Sequence, residues 1–486
     1  MMKKQKTTLK SRKSRNSTDN REFAVITYMF LLLFIAMMVY FAYFLIVKSE
    51  DVINSPYNKR QDTFGEHVVR GEIKSADGVV LAQSVVNEDG SETRYYPYGN
   101  MFAHAIGYDS NGKSGIESFA NFNLLRSNAF FVEKIINGIK DEKNPGDHVV
   151  TTLNYGLQET AYNALGSNNG AIIVMEPSTG KILTMVSKPD FNPNTINEDW
   201  ESIVSNTESS NSVLLNRTTQ GLYPPGSTFK FITLLEYMRE NPDYQNYIFQ
   251  CEGIFSHEDT QIRCYNNAVH GDEDLMTAFA KSCNSAFASI GLSLDKKKFA
   301  SLCDDLLFHT DLPISYPSQK SRFNLDKDST DAQVMQTAIG QGETLVTPLH
   351  MAMLTCAIAN DGVAMKPYII DHTENYKGIT VKEYKSSTYS TILPLEETKV
   401  LDEYMKNVVL NGTGSKLNGG NYTAAGKTGS AEFSNVKGES HAWFTGYAYN
   451  ESIGEIAVTI IVENGGAGSE TAVPIARQLF DRYFNQ

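Results

Sequence analysis

From Phe23 to Val47 the chain runs for 25 residues without one charged side chain. A stretch of that length crosses a hydrocarbon core of about 30 Å with some tilt. Inside lipid every backbone N–H and C=O needs a partner within the segment, so the run has to be helical. Lys48, Glu50 and Asp51 close it. A cleavable leader fits poorly, because its apolar region is shorter and a small-residue A-x-A site should follow. Ahead of the run, the first 22 residues carry eight basic side chains (Lys3, Lys4, Lys6, Lys10, Arg12, Lys13, Arg15, Arg21) against Asp19 and Glu22. A basic tail of this kind stays in the cytoplasm. The expected layout is therefore a cytoplasmic tail at 1–22, a transmembrane helix at 23–47 and an extracytoplasmic remainder. That is a single-pass plasma-membrane protein.

The formal net charge of -13 hides the basic tail, and the remainder stands near -19. An acidic body argues against nucleic acid as a partner. Residues 48–150 alternate turn signals (Ala76-Asp77-Gly78, Glu88-Asp89-Gly90, Ser110-Asn111-Gly112) with short apolar runs such as Val79-Val80-Leu81. No catalytic cluster stands out there. The segment reads as an irregular, β-rich spacer or docking domain.

The pattern changes near Asp147, and residues 151–486 read as one large domain. Val149–Leu153 has the look of a strand and Tyr155–Leu165 of a helix. Residues 170–175 and 181–186 flank Pro177-Ser178-Thr179-Gly180 as a β-hairpin. Three more strands are expected around 423–433, 442–449 and 454–462. A closing helix over 470–484 puts Ile475, Leu479 and Phe480 on one face. Two strands early and three late predict one five-stranded antiparallel sheet, with an all-helical insert between about 227 and 410. The fold class is α+β.

Three short motifs carry the chemistry. Pro224-Pro225-Gly226 breaks the chain just before Ser227, and Phe229, Ile232, Leu235 and Met238 follow at helical spacing. Ser227 thus falls at a helix start, where backbone N–H groups favour a developing anion. Lys230 comes one turn later on the same face. A lysine desolvated against an apolar helix gives up its proton more easily and becomes a candidate base. Ser282-Cys283-Asn284 lies between two apolar patterns and suits an interhelical loop. Lys427-Thr428-Gly429-Ser430 follows Gly426 on an expected strand, which a backbone ligand can approach closely. Each motif alone is commonplace: a capping serine, a loop, a tight turn. The spacing around Lys427 does not fit a phosphate loop.

In this order the motifs match the Ser-x-x-Lys, Ser-x-Asn and Lys-Thr-Gly set of penicillin-binding proteins. The wider chain resembles the class B members. Tyr223-Pro224-Pro225-Gly226-Ser227-Thr228-Phe229-Lys230 is similar to their nucleophile segment. Gln341-Gly342, Thr347-Pro348-Leu349, Ala359-Asn360-Asp361-Gly362-Val363 and His441-Ala442-Trp443-Phe444-Thr445-Gly446 also resemble theirs. Upstream, Arg70-Gly71-Glu72-Ile73 and Gly78-Val79-Val80-Leu81-Ala82 resemble the start of their non-catalytic domain. No segment resembles a glycosyltransferase. Ser430 departs from the usual threonine but keeps the hydroxyl.

The resemblance implies a serine-type peptidoglycan D,D-transpeptidase acting on D-Ala-D-Ala stem peptides and inhibited by β-lactams. Ser227 would be the nucleophile, Lys230 its base and Ser282 a proton relay. Asn284 would hold the peptide amide. Lys427, Thr428, Gly429 and Ser430 would bind the terminal carboxylate, with the N–H groups of Ser227 and Ser430 as an oxyanion hole. It implies no cofactor. A polytopic lipid II polymerase is the expected partner of the 48–150 segment. A D,D-carboxypeptidase or a β-lactamase would use the same residues, and a scaffold that activates a membrane glycosyltransferase is the reading from another class. Five cysteines are present. Cys251 and Cys264 are candidates for a disulfide, Cys303 and Cys356 read as buried thiols, and Cys283 as a small buried residue. No Cys/His spacing suggests a metal.

Overall fold

The computed structural model describes residues 16–48, 65–205, 212–432 and 439–485. Most of the basic tail and the first part of the 48–150 segment lie outside these residues, as does Phe433 at the end of one expected strand. The chain divides into two units, at 1–58 and 59–486.

In the first unit a helix runs over Asn16–Tyr43 and continues as a wider turn through Phe44–Lys48. Its 23-residue stretch Arg21–Tyr43 is long and apolar enough to cross a membrane. Its large apolar side chains are exposed all round, Leu32 at 71%. A helix that is apolar on every face belongs in lipid rather than in water.

The second unit is centred on five antiparallel strands in the order Thr423–Glu432, Ser440–Asn450, Gly454–Val462, Gly170–Met175, Ile182–Lys188. This is the sheet the hydrophobic pattern predicts. It is covered on both faces, which explains runs such as Ala171-Ile172-Ile173-Val174 that show no polar alternation. Ile172 and Val174 pack with Val458, Ile460 and Phe444 against the helices Tyr155–Leu165 and Ala472–Phe484. Ile173, Met185, Trp443 and Ile461 face the opposite core, which holds Leu349 and Met353 of the helix Pro348–Ala359.

One detail differs from expectation. The insert between 227 and 410 is not all-helical. It carries the hairpin Ile254–His257 with Thr260–Arg263, the pair Ile248–Cys251 with Gly271–Asp274, and the pair Val363–Met365 with Thr388–Thr391. These strands are three or four residues long. Runs that short leave little periodicity to separate them from loops.

Residues on both sides of position 150 share a six-stranded sheet, in which Ile370–Glu374 pairs with His148–Thr151 and the latter with Ile73–Lys74. Beside it lies a buried ion network. Glu117 is wholly buried, and its two oxygens take Arg70 Nε and Arg94 Nε at 2.7 Å each. Burial by itself would raise the Glu117 carboxyl, but the charges of Arg70 and Arg94 outweigh it and hold the group below its ordinary value.

Candidate active site

A short turn, Gly226–Phe229, leads into the helix Lys230–Glu240. Pro224 and Pro225 cannot extend a helix upstream. Gly226 has a φ of +53°, and a Cβ there would press on Ala431 at 3.0 Å. Its N–H donates to the Gly340 carbonyl at 2.8 Å. Trp443 Nε1 donates to the Pro224 carbonyl at 3.0 Å, and Thr228 Oγ1 to the Pro225 carbonyl at 2.7 Å. Phe229 anchors the turn among Phe299, Phe308 and Phe323. Ser227 is thus carried, half-buried, on a turn fixed from three sides.

Lys230 is wholly buried. Its Nζ donates to the Ser282 carbonyl at 2.8 Å, to Asn284 Oδ1 at 2.7 Å and, at 3.4 Å, to Ser282 Oγ. Ser227 is not among these partners. The Ser282 turn sits between the helices Leu275–Ala280 and Asn284–Ser293, as the apolar patterns on either side suggest. Ser282 adopts a φ of +60°. A residue with a Cβ is uncommon there, and such strain concentrates at functional turns. The turn is held by Cys283 N–H on the Ala278 carbonyl at 2.8 Å.

Lys427 arrives from the strand Thr423–Glu432, the outermost of the sheet. It too is wholly buried, and its Nζ donates to Ser282 Oγ at 2.8 Å. A Cβ on Gly429 would lie 3.1 Å from the Pro225 carbonyl oxygen and 3.2 Å from Thr228 N, so the strand and the Ser227 turn meet backbone to backbone. Thr428 Oγ1 shares a 2.5 Å hydrogen bond with Thr413 Oγ1, and Ser430 Oγ accepts from Gly468 N–H at 3.3 Å.

The three motifs therefore form one cluster with Ser282 between two lysines. Neither lysine has a carboxylate partner among the described residues. Burial pushes the Lys230 ammonium down to about 8, with the Cys283 and Cys264 sulfurs opposing it. Burial also pushes Lys427 well below its ordinary value, and the charge of Lys230 adds to this. Such an arrangement can hold one amine free at neutral pH, accept a proton from a hydroxyl and pass it on through Ser282.

Thr413, Gly340 and Trp443 were not singled out from the sequence for these contacts. Gly412-Thr413-Gly414 after a helix was a faint signal, and Gly340 stands directly before the Gln341-Gly342 pair. A cleft of about 530 Å³ lined by Asp361, Asp402, Lys406 and Glu455 contains none of the motif residues.

The cysteines settle one open choice and agree with the other readings: Cys283, Cys303 and Cys356 are buried thiols. All five are thiols, and Cys251 and Cys264 do not form a disulfide, since their sulfurs are 3.7 Å apart. Cys283 and His270 join them, and together these four side chains could hold a metal ion. Cys303 and Cys356 are buried singly.

A family model described as the penicillin binding protein transpeptidase domain matches residues 170–481, and one described as the penicillin binding protein A dimerisation domain matches residues 70–149. The peptidoglycan D,D-transpeptidase PbpA of Mycolicibacterium smegmatis is 30% identical over 444 residues, covering 84% of this chain and 87% of that protein. The D,D-transpeptidase domain of a peptidoglycan glycosyltransferase from Eggerthella lenta superposes with a TM-score of 0.75 at 30% identity, over 86% of this chain and 98% of that one. The penicillin G acyl-enzyme complex of penicillin-binding protein A from M. tuberculosis superposes with a TM-score of 0.74 at 25% identity, over 85% and 99% of the two chains.

Proposed function

Since the chain belongs to the penicillin-binding protein transpeptidase family, we propose that Ser227 is the nucleophile of its acyl transfer and that Lys230, Ser282 and Lys427 move the protons. The protein is a serine-type peptidoglycan D,D-transpeptidase. The observation that carries the residue assignment is Lys230: buried, without a bonded carboxylate among the described residues, bonded to Ser282 and Asn284, and one turn from Ser227.

Ser227 Oγ attacks the penultimate D-Ala carbonyl of a donor stem peptide while its proton passes to the free amine of Lys230. The N–H groups of Ser227 and Ser430 receive the oxyanion, a contribution of about 10²–10³ in rate per donor. The C–N bond then breaks. The departing D-Ala amine takes a proton relayed from Lys230 through Ser282, whose hydroxyl also meets Lys427. Asn284 holds the peptide amide. Lys427, Thr428, Gly429 and Ser430 receive the terminal carboxylate. The amine of a second stem peptide attacks the Ser227 ester, completing the cross-link and restoring the serine. A β-lactam imitates the D-Ala-D-Ala end and stays on Ser227. None of these steps calls on a cofactor.

Intact-mass measurement after penicillin treatment tests the assignment. One adduct on the Ser227 peptide is expected, and an adduct that persists in Ser227→Ala overturns it.

The basic tail supports a cytoplasmic N-terminus and an extracytoplasmic catalytic domain. A reporter fused after Gln486 should work only outside the cytoplasm. The 48–150 segment, in this reading, docks on a polytopic lipid II polymerase rather than acting as a spacer. Co-purification of a polymerase should fail for a chimera in which an unrelated domain replaces that segment while penicillin acylation persists. Undiminished capture by the chimera leaves only the spacer.

A further inference from the structure

We propose that the helix Phe131–Lys140 lies in the headgroup–acyl boundary of the bilayer that holds the N-terminal helix, with Phe131, Val132, Ile135, Ile136 and Ile139 inserted. At about 100° per residue these five side chains fall within an arc of about 140°, and Glu133, Lys134, Asn137 and Lys140 fill the opposite side. A surface helix of a soluble body turns its apolar arc to the core. Here the arrangement is reversed. Phe131 is 77% exposed, Val132 65% and Ile139 81%, and no residue of the helix is buried.

The polar side is the one fixed to the protein. Glu133 takes Lys377 Nζ at 2.7 Å and the Tyr376 hydroxyl, both from the turn between the strands Ile370–Glu374 and Thr380–Glu383. Lys134 Nζ donates to the Ser127 carbonyl at 2.7 Å, and Asn137 Nδ2 to Asn144 Oδ1 at 3.2 Å. Lys377 Nζ also stands 4.7 Å from the centre of the exposed Phe130 ring. Rolling the helix inward would break these bonds, so they hold the apolar arc outward. A contiguous exposed apolar patch of this kind marks an interaction surface.

The way the chain enters the second unit selects lipid as the occupant. The Gly65 carbonyl accepts from Lys143 Nζ at 2.9 Å, the His67 carbonyl accepts from Asn144 N–H at 2.9 Å, and Val68–Val69 pairs with Asn144–Pro145. The chain that leaves the apolar stretch Arg21–Tyr43 therefore joins the body just past the end of Phe131–Lys140. Residues 49–64 are a tether of at most about 60 Å when fully extended, which keeps a bilayer at high effective concentration around the helix. Charge agrees with this. In a chain that is acidic as a whole, Lys134, Lys140, Lys143 and Lys377 flank the helix against Glu133, Asp141 and Glu142. Lysine stems lie along apolar surface while their ammonium groups reach lipid phosphates. A helix of this type sinks about 5–10 Å into the boundary, which fixes the height of the body above the membrane.

This docking is independent of the roles of Ser227 and Lys230. Full-length protein carrying a bimane label on Val132→Cys, placed in nanodiscs of equal parts phosphatidylglycerol and phosphatidylcholine, tests it; the five native cysteines are buried and leave the new thiol as the reactive one. Lipids with a doxyl group close to the headgroup should quench the label at least about twofold more than lipids with the doxyl group at the chain end, as a shallow site requires. They should also quench it at least about twofold more than a label on Asp328→Cys, an exposed position of the catalytic domain. Adding Phe131→Ser, Ile135→Ser and Ile139→Ser should bring the quenching down to the Asp328→Cys level, while penicillin acylation stays at the wild-type rate. Quenching at Val132→Cys no greater than at Asp328→Cys overturns the proposal. So does quenching that survives the three serines. A label shielded from aqueous iodide but untouched by doxyl lipid, with Ile139→Cys forming a chain-to-chain disulfide, also overturns it and makes a second copy the occupant.

Discussion

Two buried charge clusters divide the second unit. Near the N-terminal sheet, Glu117 sits between Arg70 and Arg94 with both oxygens bonded. In the motif cluster, Lys230 and Lys427 are equally buried, yet they share a serine hydroxyl and have no carboxylate bonded to them among the described residues. Burial penalises the charged form in both places. In the first, opposite charges compensate and the ions persist, so the cluster joins the pieces Arg70, Arg94 and Glu117 into one body. In the second no carboxylate is bonded to either amine, so burial lowers both lysines and, on the proposed roles, leaves Lys230 able to act as a base. Compensated burial holds structure together, and uncompensated burial supplies chemistry.

Substitutions can break this contrast, and the largest effect belongs to the proposed nucleophile: Ser227→Ala should abolish covalent penicillin labelling on gels. Lys230→Ala should slow acylation by about 10²–10⁴-fold, the usual worth of a general base, with its melting temperature held or raised because a buried amine is removed. In the other cluster the signs reverse. Glu117→Ala leaves two buried guanidinium groups unpaired and should cost about 3–5 kcal/mol in urea unfolding, while acylation per folded molecule stays at the wild-type rate. A loss of rate without a loss of stability there would erase the distinction. Lys427→Arg keeps a cation but not the compact donor aimed at Ser282. One misplaced hydrogen bond to a charged group is worth about 1.5–3 kcal/mol, so acylation should fall by about 10–100-fold. Equal and complete loss in Lys230→Ala and Lys427→Arg would contradict their different roles. The smallest effect is expected for Trp443→Phe, which removes the bond to the Pro224 carbonyl and should cost about 0.5–1.5 kcal/mol of stability, read from the same unfolding curves.

The sheet was legible in the sequence because strands such as Gly170–Met175 and Gly454–Val462 are long apolar runs, and because the Pro177–Gly180 turn marks the hairpin. The helix Tyr155–Leu165 stands where its pattern places it. The short strands of the insert were not legible: Thr260-Gln261-Ile262-Arg263 offers one buried side chain and no period. The motif residues were found as words in the chain, but their mutual contacts were not. That Ser282 would stand between two lysines depends on its left-handed backbone, which no residue type announces. The metal-type cluster was missed for a related reason. Its nearest two ligands, Cys264 and His270, are six positions apart, and the others come together only through the pairing of Ile248–Cys251 with Gly271–Asp274.

The contrast between the clusters is tested most directly by the pH dependence of penicillin acylation, followed as a second-order rate constant from about pH 5.5 to 9.5. Lys230 acts as a base only when uncharged, and its ammonium is lowered to about 8. The rate should therefore climb about tenfold per pH unit on the acid side and level off above about pH 8, with the apparent value belonging to the interacting lysine pair. The residual rate of Lys230→Ala should lack that limb. A wild-type rate that is flat from pH 6 to 9, or a limb that survives unchanged in Lys230→Ala, would mean that the uncompensated lysine is not the base.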